Sequence, residues 1–562
     1  VAKASIPAEP GFPQTSPLVV ARHTKATILL DRRELIAAYP ELTFSGGRGA
    51  HIRLTYQEAL VKDRFTKGNR NEVEGKRMLG YSDEVIPDGG KARVFRPLWW
   101  RTWRYLEISV DTADEPLSLD RLEAFATGYP FEEQGRWDAG DATLAKIWST
   151  GWRTARLCAH ETYVDCPYYE QLQYVGDTRV QALISYAVAG DDRLARQAIE
   201  AYDDSRRSDG ITSSRYPSGV PQYIPPFSLL WVGMVHDYWM YRDDPGFVGD
   251  RLAGTRAVLD FYLARQREDG LVGRSPFWNF VDWAPEFSEG VPPEDADGGS
   301  SAITLQFVAA LREAADLEQS LGDASRAALY RQRADRAGDA VWRLSWTPVR
   351  GLVADTPAKA RFSQQANILA LWLDVVPKAQ QSEVLDRVLA VAPLSVKTAP
   401  VGGTGGAAGE TGIAKASYYF RFYLARALDH VGRGDDYLPL LDPWREMLDL
   451  GLSTFAETPD LASRSDCHAW SAHPNYDLLT IVAGIRPAAP GFKRVRIEPH
   501  LGALDHLDAA MPHSAGEIAV SYRRRAGGLR AVIGLPAGLP GELVWHGERH
   551  ELAPGRNELL LP

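Results

Sequence analysis

The 562-residue sequence predicts a multidomain α plus β protein, in which an (α/α)6 barrel of six helical hairpins lies between N- and C-terminal β-sandwich domains. Three observations predict it. Apolar residues alternate with a period of two in the first and last parts of the chain, and with a period near 3.6 between them. The links between the helical segments are alternately short and long. The length itself exceeds what one hydrophobic core can serve. The expected domains are 1–132 (β-sandwich, jelly-roll-like), 133–486 (helical barrel) and 487–562 (β-sandwich).

In the first domain Leu106, Ile108 and Val110 alternate with Glu107 and Ser109, and Ser45-Gly46-Gly47 and Pro87-Asp88-Gly89-Gly90 break the pattern into strands. The last domain repeats the signature with Val495/Ile497 and Ile518/Val520/Tyr522. Gly527-Gly528 there marks a hairpin turn ahead of Leu529. Between them, Leu144, Ile147, Trp148, Gly151, Trp152 and Ala155 recur at spacings of three and four, which predicts a helix over 141–160. Eleven more helices are expected at 174–189, 192–207, 227–241, 248–269, 301–321, 324–344, 362–373, 379–392, 413–431, 436–450 and 475–484. The links 190–191, 242–246, 322–323, 374–378 and 432–435 are short. The links 161–173, 208–226, 270–300, 393–411 and 451–474 are long. Antiparallel neighbours then send every long loop to one end, where sites are usually built. An open helical array is the alternative, although no repeated motif supports one.

Composition excludes more than it selects. Charged residues are 24% of the chain, the net charge is -10, and no apolar run could span a bilayer. This disfavours nucleic-acid and membrane partners and fits an uncharged substrate. Sixteen Trp and 23 Tyr offer faces for sugar rings as well as core volume. Cys158, Cys166 and Cys467 have no metal-ligand spacing and read as small buried residues. The chain opens Val1-Ala2-Lys3 without a leader pattern, so neither compartment nor oligomeric state is legible, and the expectation stops at a soluble protein.

Five carboxylates fall in or beside the long loops: Asp165 and Glu170 in the first, Asp177 at the start of the helix that follows it, Asp282 in the third and Glu457 in the last. A single loop carboxylate is ordinarily solvated. Five at one end of a scaffold, each near Tyr, Trp or Phe, point instead to acid–base chemistry, because apolar walls raise the pKa of the member that must stay protonated. One acid to protonate a leaving oxygen and one base to activate water are the equipment of a glycosidase. His468 and His473 are five apart with no third ligand in view, so neither metal nor cofactor is expected. His473 and Trp470 are candidate sugar contacts. Gly402-Gly403-Thr404-Gly405-Gly406 has neither the preceding strand nor the following Lys-Ser/Thr of a phosphate loop and reads as a rim loop.

The first loop, Val164-Asp165-Cys166-Pro167-Tyr168-Tyr169-Glu170-Gln171 running to Gly176-Asp177, resembles that of glycoside hydrolase family 78, the α-L-rhamnosidases. So do Val281-Asp282-Trp283, Thr454-Phe455-Ala456-Glu457, and the run from Val482-Ala483-Gly484-Ile485 to Ile497-Glu498-Pro499. The resemblance implies an inverting, exo-acting hydrolase that releases terminal α-L-rhamnose from a carbohydrate substrate. Glu170 matches the general acid and Glu457 the general base. Asp165, Asp177 and Asp282 match carboxylates that hold sugar hydroxyls, and Trp283 an aromatic of the sugar pocket. The sequence departs from the family in its Tyr168-Tyr169 pair, where a charged stretch is usual, and in Ala456 before the base, where Trp is common. Two alternatives stay open on the same fold. One is a hydrolase of another sugar, or a lyase using Tyr168 or His473 on a uronate; the other is a sugar-binding protein without turnover.

Overall fold

The computed structural model describes residues 1–8, 11–63, 66–395, 412–460 and 462–562. The N-terminal part is built around one strand, Lys25–Gly46, in an eight-stranded sheet. Its first half pairs antiparallel with Arg101–Asp111 and its second with Leu117–Ala126, the register shifting between Asp31 and Ile36. His51–Gln57 and Tyr81–Val85 extend the sheet on one side, Leu18–Val20 on the other. The alternation has its expected effect: Leu106, Ile108 and Val110 are buried with Ile28, Ile52 and Leu54. The long strand stops where Gly46 and Gly47 both take positive φ, of 75° and 65°.

The C-terminal part holds two sheets. One runs Gly555–Leu561, Gly528–Leu535, Gly516–Arg525 and His506–His513, and is completed by Arg136–Asp138 at its edge. The other runs Ile485–Pro487, Val495–Ile497, Gly541–Trp545 and Glu548–Leu552. The chain thus contributes a strand to its C-terminal sheet before it enters the first helix. The expected hairpin turn lies at Ala526-Gly527, with Gly527 at φ 91°.

Among the described residues twelve α-helices lie between the sheet regions. They are α1 (Ala142–Leu157), α2 (Val175–Ile184), α3 (Arg193–Asp204), α4 (Pro225–Tyr241), α5 (Pro245–Leu263) and α6 (Ser301–Leu321), followed by α7 (Ala324–Ser345), α8 (Gln364–Trp372), α9 (Lys378–Leu389), α10 (Tyr418–His430), α11 (Asp442–Asp449) and α12 (Pro474–Asp477). A π-turn, Leu478–Val482, continues α12. Packing follows composition. Every residue of α2 is buried and nearly every one of α8, so these helices need neighbours all round. In α3 only Leu194, Ala195, Ala198, Ile199 and Tyr202 are buried, a single stripe. Accordingly α2 packs on α4, α4 on α6, α6 on α8 and α8 on α10, while the turn Ala469–Ala472 touches both α10 and α2. The odd-numbered helices lean on this series from outside, α7 on α6 and α9 on α8 among them.

Helices α5, α10 and α11 begin or end well away from the expected boundary, each for a local reason. Helix α10 starts at Tyr418 because Ile413–Ala414 pairs in parallel with Phe362–Ser363. Helix α5 stops at Leu263, after which Arg267 N–H donates to the Leu271 carbonyl around Gly270 at φ 102°. Before α11 the chain makes a 3-10 turn, Leu438–Leu441, with Pro439 in its first turn, and Pro443 follows at the start of the helix. The glycine run Gly402–Gly406 lies outside the described residues.

Candidate active site

A cavity of about 340 Å³ opens among the long loops, within the usual range for small-molecule sites. Loop 158–174 and the start of α2 supply Asp165, Glu170, Tyr174 and Asp177, and the second long loop supplies Arg215 and Gln222. Trp278, Phe280 and Trp283 come from the third, and Glu457, Arg464, His468 and Trp470 from the last.

Asp165 staples the first loop. Its backbone N–H donates to the Leu172 carbonyl (2.8 Å), and its carboxylate accepts from Leu172 N–H (3.0 Å) and the Cys166 thiol (2.9 Å). The N-terminal sheet fastens the same loop from outside. The Tyr168 hydroxyl donates to the Tyr56 carbonyl (2.8 Å) and Thr102 to the Pro167 carbonyl (2.8 Å). What remains free to face the cavity is Glu170. Its carboxylate accepts from the Tyr174 hydroxyl (2.8 Å) and from Arg464 Nη2, and Arg215 Nη1 stands 4.0 Å away.

The last long loop is fixed by its own backbone and by the N-terminal region. Glu457 N–H donates to the Ser465 carbonyl (3.0 Å), and the Trp470 indole donates to the Glu457 carbonyl (3.0 Å). Asp466 is buried in an ion cluster, accepting from Lys67 Nζ (3.1 Å) and from Arg70 Nε (3.1 Å) and Nη2 (2.9 Å), while its N–H donates to Glu58 (2.9 Å). Arg464 Nη2 reaches across to both oxygens of Glu457 at 3.5 Å. One guanidinium nitrogen therefore bridges Glu170 and Glu457.

Burial rises with depth. Side-chain exposure is 48% for Arg464 and 23% for Glu170 at the rim, but 9% for Glu457 and 3% for both His468 and Asp177 on the floor. There His468 Nε2 stands 3.0 Å from Asp177 Oδ1, and Nδ1 has no hydrogen-bond partner among the described residues. The Trp470 ring stacks on Tyr419 at 4.9 Å, and Trp278, Phe280 and Trp283 pack on one another as an aromatic wall of the cavity.

The electrostatics follow from these contacts. Burial pushes Asp165 up to about 7, with Glu170 and Asp177 adding to the push against His468. Burial also raises Asp177. It acts on Glu170 too, but Arg464 and the Tyr174 hydroxyl outweigh it and hold this carboxyl below its ordinary value. His468 goes the other way: burial opposes its charge, yet Asp177, Glu457 and Asp165 carry it up to about 9.

Glu170, Glu457, Asp165, Asp177, Trp283 and Trp470 thus meet in one cavity. Two expected site residues do not line it. Asp282 is fully buried and accepts from Gln365 Nε2 (2.6 Å), Ser417 N–H (3.0 Å) and the Ser417 hydroxyl. It locks the third loop to the starts of α8 and α10, leaving neither oxygen for a ligand. His473 is also buried, with Nδ1 on Asp477 (2.6 Å) and Nε2 on the Tyr418 carbonyl (3.2 Å), so it offers no ring nitrogen to a sugar. The histidine at the site is His468, which the sequence presents only as a possible metal ligand. The fold does bring Asp165 and Cys166 to His468, with ligand atoms within 4.8 Å of one another. Burial drives the Cys166 thiol well up, however, so it keeps its proton and donates it to Asp165. Arg464, Arg215 and Tyr174 belong to no motif in the sequence, and only the alternation Trp278/Phe280 signals the aromatic wall.

Residues 132–408 match the family model for the bacterial alpha-L-rhamnosidase six-hairpin glycosidase domain, and residues 484–559 that for the bacterial alpha-L-rhamnosidase C-terminal domain. A curated alpha-L-rhamnosidase of Alteromonas sp. (strain LOR) is 20% identical across 94% of this chain and 57% of that protein, so the chain spans little more than half the relative's length. The solved GH78 family rhamnosidase of Bacillus sp. GL1 superimposes with a TM-score of 0.81 at 23% identity, covering 95% of this chain and 55% of that one. Streptomyces avermitilis alpha-L-rhamnosidase, complexed with L-rhamnose, gives 0.73 at 18% identity, covering 97% and 54%. At such identities these likenesses speak to the fold: a six-hairpin glycosidase domain flanked by sheet-rich regions. Two family models of the bacterial alpha-L-rhamnosidases, separated by residues 409–483, together match well over half of this chain, which carries their six-hairpin glycosidase and C-terminal domains.

Proposed function

We propose that this chain is an exo-acting, inverting α-L-rhamnosidase whose helices close into an (α/α)6 barrel between two β-sandwiches. The packing of α2, α4, α6, α8 and α10 in succession, with Ala469–Ala472 touching both α10 and α2, supports the closed ring. The observation that carries the function is the juxtaposition of Glu170 and Glu457 across one guanidinium nitrogen, above a buried floor and beside an aromatic wall. The fall in exposure from Glu170 toward the mouth to the buried His468 and Asp177 supports exo action, in which a terminal sugar enters. His468 Nδ1 and Asp177 hold hydroxyls of that sugar, Trp283 and Trp278 cover its apolar face, and Asp165 keeps the acid loop in shape.

Glu170, nearer the mouth, delivers a proton to the glycosidic oxygen as the bond to the anomeric carbon breaks. Glu457 takes a proton from a water that attacks the same carbon from the opposite face, so the product is the β-anomer. In the substrate complex the two carboxyl groups should stand about 6.5–9.5 Å apart, leaving room for the water. The lyase alternative loses its bases, since Tyr168 is committed to the Tyr56 carbonyl and His473 lies outside the cavity. The test is a panel of aryl glycosides with the product followed by proton NMR. Release from aryl α-L-rhamnoside alone, β-rhamnose appearing first, is expected. Initial α-rhamnose would overturn inversion, and cleavage of another glycoside in its place would overturn the sugar.

A further inference from the structure

The bridge made by Arg464 poses a problem that the acid–base pair does not solve by itself. A general acid must enter the reaction protonated, yet Arg464 keeps Glu170 charged, and its guanidinium occupies the space between the two carboxylates. The arginine is well placed to leave. It is the most exposed of the charged groups in this cluster, while its backbone is anchored where its carbonyl accepts from Lys67 Nζ (2.8 Å), next to the fixed Asp466. A second arginine, Arg215, stands on the other side of Glu170 and donates to Tyr174 (2.7 Å). Both arginines line the cavity and are more exposed than the His468–Asp177 pair, so they stand toward the mouth, where exo action would place the leaving-group sugar.

We propose that Arg464 recognises a carboxylate on the leaving-group sugar, so that the preferred substrate is a terminal rhamnose linked to a uronate. Arg464 transfers from Glu170 and Glu457 to that carboxylate, to which a guanidinium can bind bidentately. One anion replaces another beside the arginine. Glu170 is left facing Tyr174, Arg215, His468 and Asp165, without its strongest cationic partner, and takes up the proton that it delivers to the glycosidic oxygen. Acidic substrates thereby prepare their own general acid, and Arg464 acts as a specificity-determining residue. This inference rests on the rhamnosidase reading and narrows it to one substrate class.

The experiment compares kcat/KM for α-L-rhamnosyl-(1→4)-glucuronate, its counterpart carrying glucose in place of glucuronate, and an aryl α-L-rhamnoside. A charge-assisted contact corresponds to a preference for the acidic disaccharide on the order of ten- to a hundredfold. In Arg464→Gln that preference should collapse to near unity, and Arg464→Lys should restore part of it by charge without the planar fork. With the neutral disaccharide, Arg464→Gln should also move the alkaline limb of the pH profile upward, because the acid loses the cation that holds it ionised. A merely structural role would not shift that limb. Equal rates on the two disaccharides, or an undiminished preference in Arg464→Gln, would overturn the proposal while aryl rhamnoside cleavage left the rhamnosidase reading standing. Absence of aryl rhamnoside cleavage would overturn both.

Discussion

The floor and the rim of the cavity each carry an ion pair, and the two are built for different ends. His468 and Asp177 are almost wholly buried, whereas Arg464 and Glu170 are half and a quarter exposed. A buried pair that loses a partner leaves a charge stranded in a poor dielectric, so it stays where it is. A pair at the surface gains little beyond what water offers and can be exchanged. The same two kinds of charge thus make a fixed socket below and a displaceable clamp above. The depth of each pair, rather than its composition, decides which it is.

Several substitutions test this contrast. The largest effect is expected between the two levels, at Glu457. Glu457→Gln should lower kcat on every substrate by roughly 10²–10⁴-fold, the range of general-base assistance, with little benefit from a better leaving group. Retention of near-normal kcat would remove Glu457 from the mechanism. Next comes the fastening beneath the rim. Asp466→Ala strands the buried Arg70 and leaves Lys67 with Glu58 alone, and should destabilise the protein by about 3–5 kcal/mol in denaturant unfolding. A change under about 1 kcal/mol, typical of exposed pairs, would show the cluster to be dispensable.

The floor has its own signature in pH. The folded pKa of His468 is raised from 6.5 to about 9. The charged form is therefore favoured in the folded state, and its contribution is fully present below pH 6.5. It is lost as the pH rises from there through about 9. His468→Gln should flatten the decline in stability over that window and raise KM more than it lowers kcat. An unchanged slope would mean that the histidine is not paired as described. The smallest effect is a null one: kcat/KM should be unaltered by EDTA, since the Cys166 thiol keeps its proton and Asp165 is already committed. Loss of activity that a divalent ion restores would contradict this.

Much of this architecture was legible in the chain. Period-two and period-3.6 patterns placed the sheets and helices, because burial of one face leaves a record in spacing. The alternation of short and long links placed the loops together. What escaped was set by residues distant in sequence. Arg136–Asp138 is too short to announce itself as a strand, and its partner lies near the other end of the chain. Asp282 reads like any loop carboxylate beside a tryptophan until Ser417, 135 residues on, closes over it. His473 carried a local warning, since Asp477 follows four residues later and such a pair meets on one helical turn. Arg464 carried none, for a lone arginine in a loop has no pattern.

The central claim is that Glu170 is the proton donor of an acid–base pair, and leaving-group dependence in Glu170→Gln tests it most directly. On an aryl α-L-rhamnoside whose phenolate needs no protonation, the variant should keep far more of the wild-type kcat/KM than on a rhamnosyl disaccharide, where a loss of roughly 10²–10⁴-fold is expected. Near-normal turnover of the unactivated disaccharide by Glu170→Gln would contradict the account.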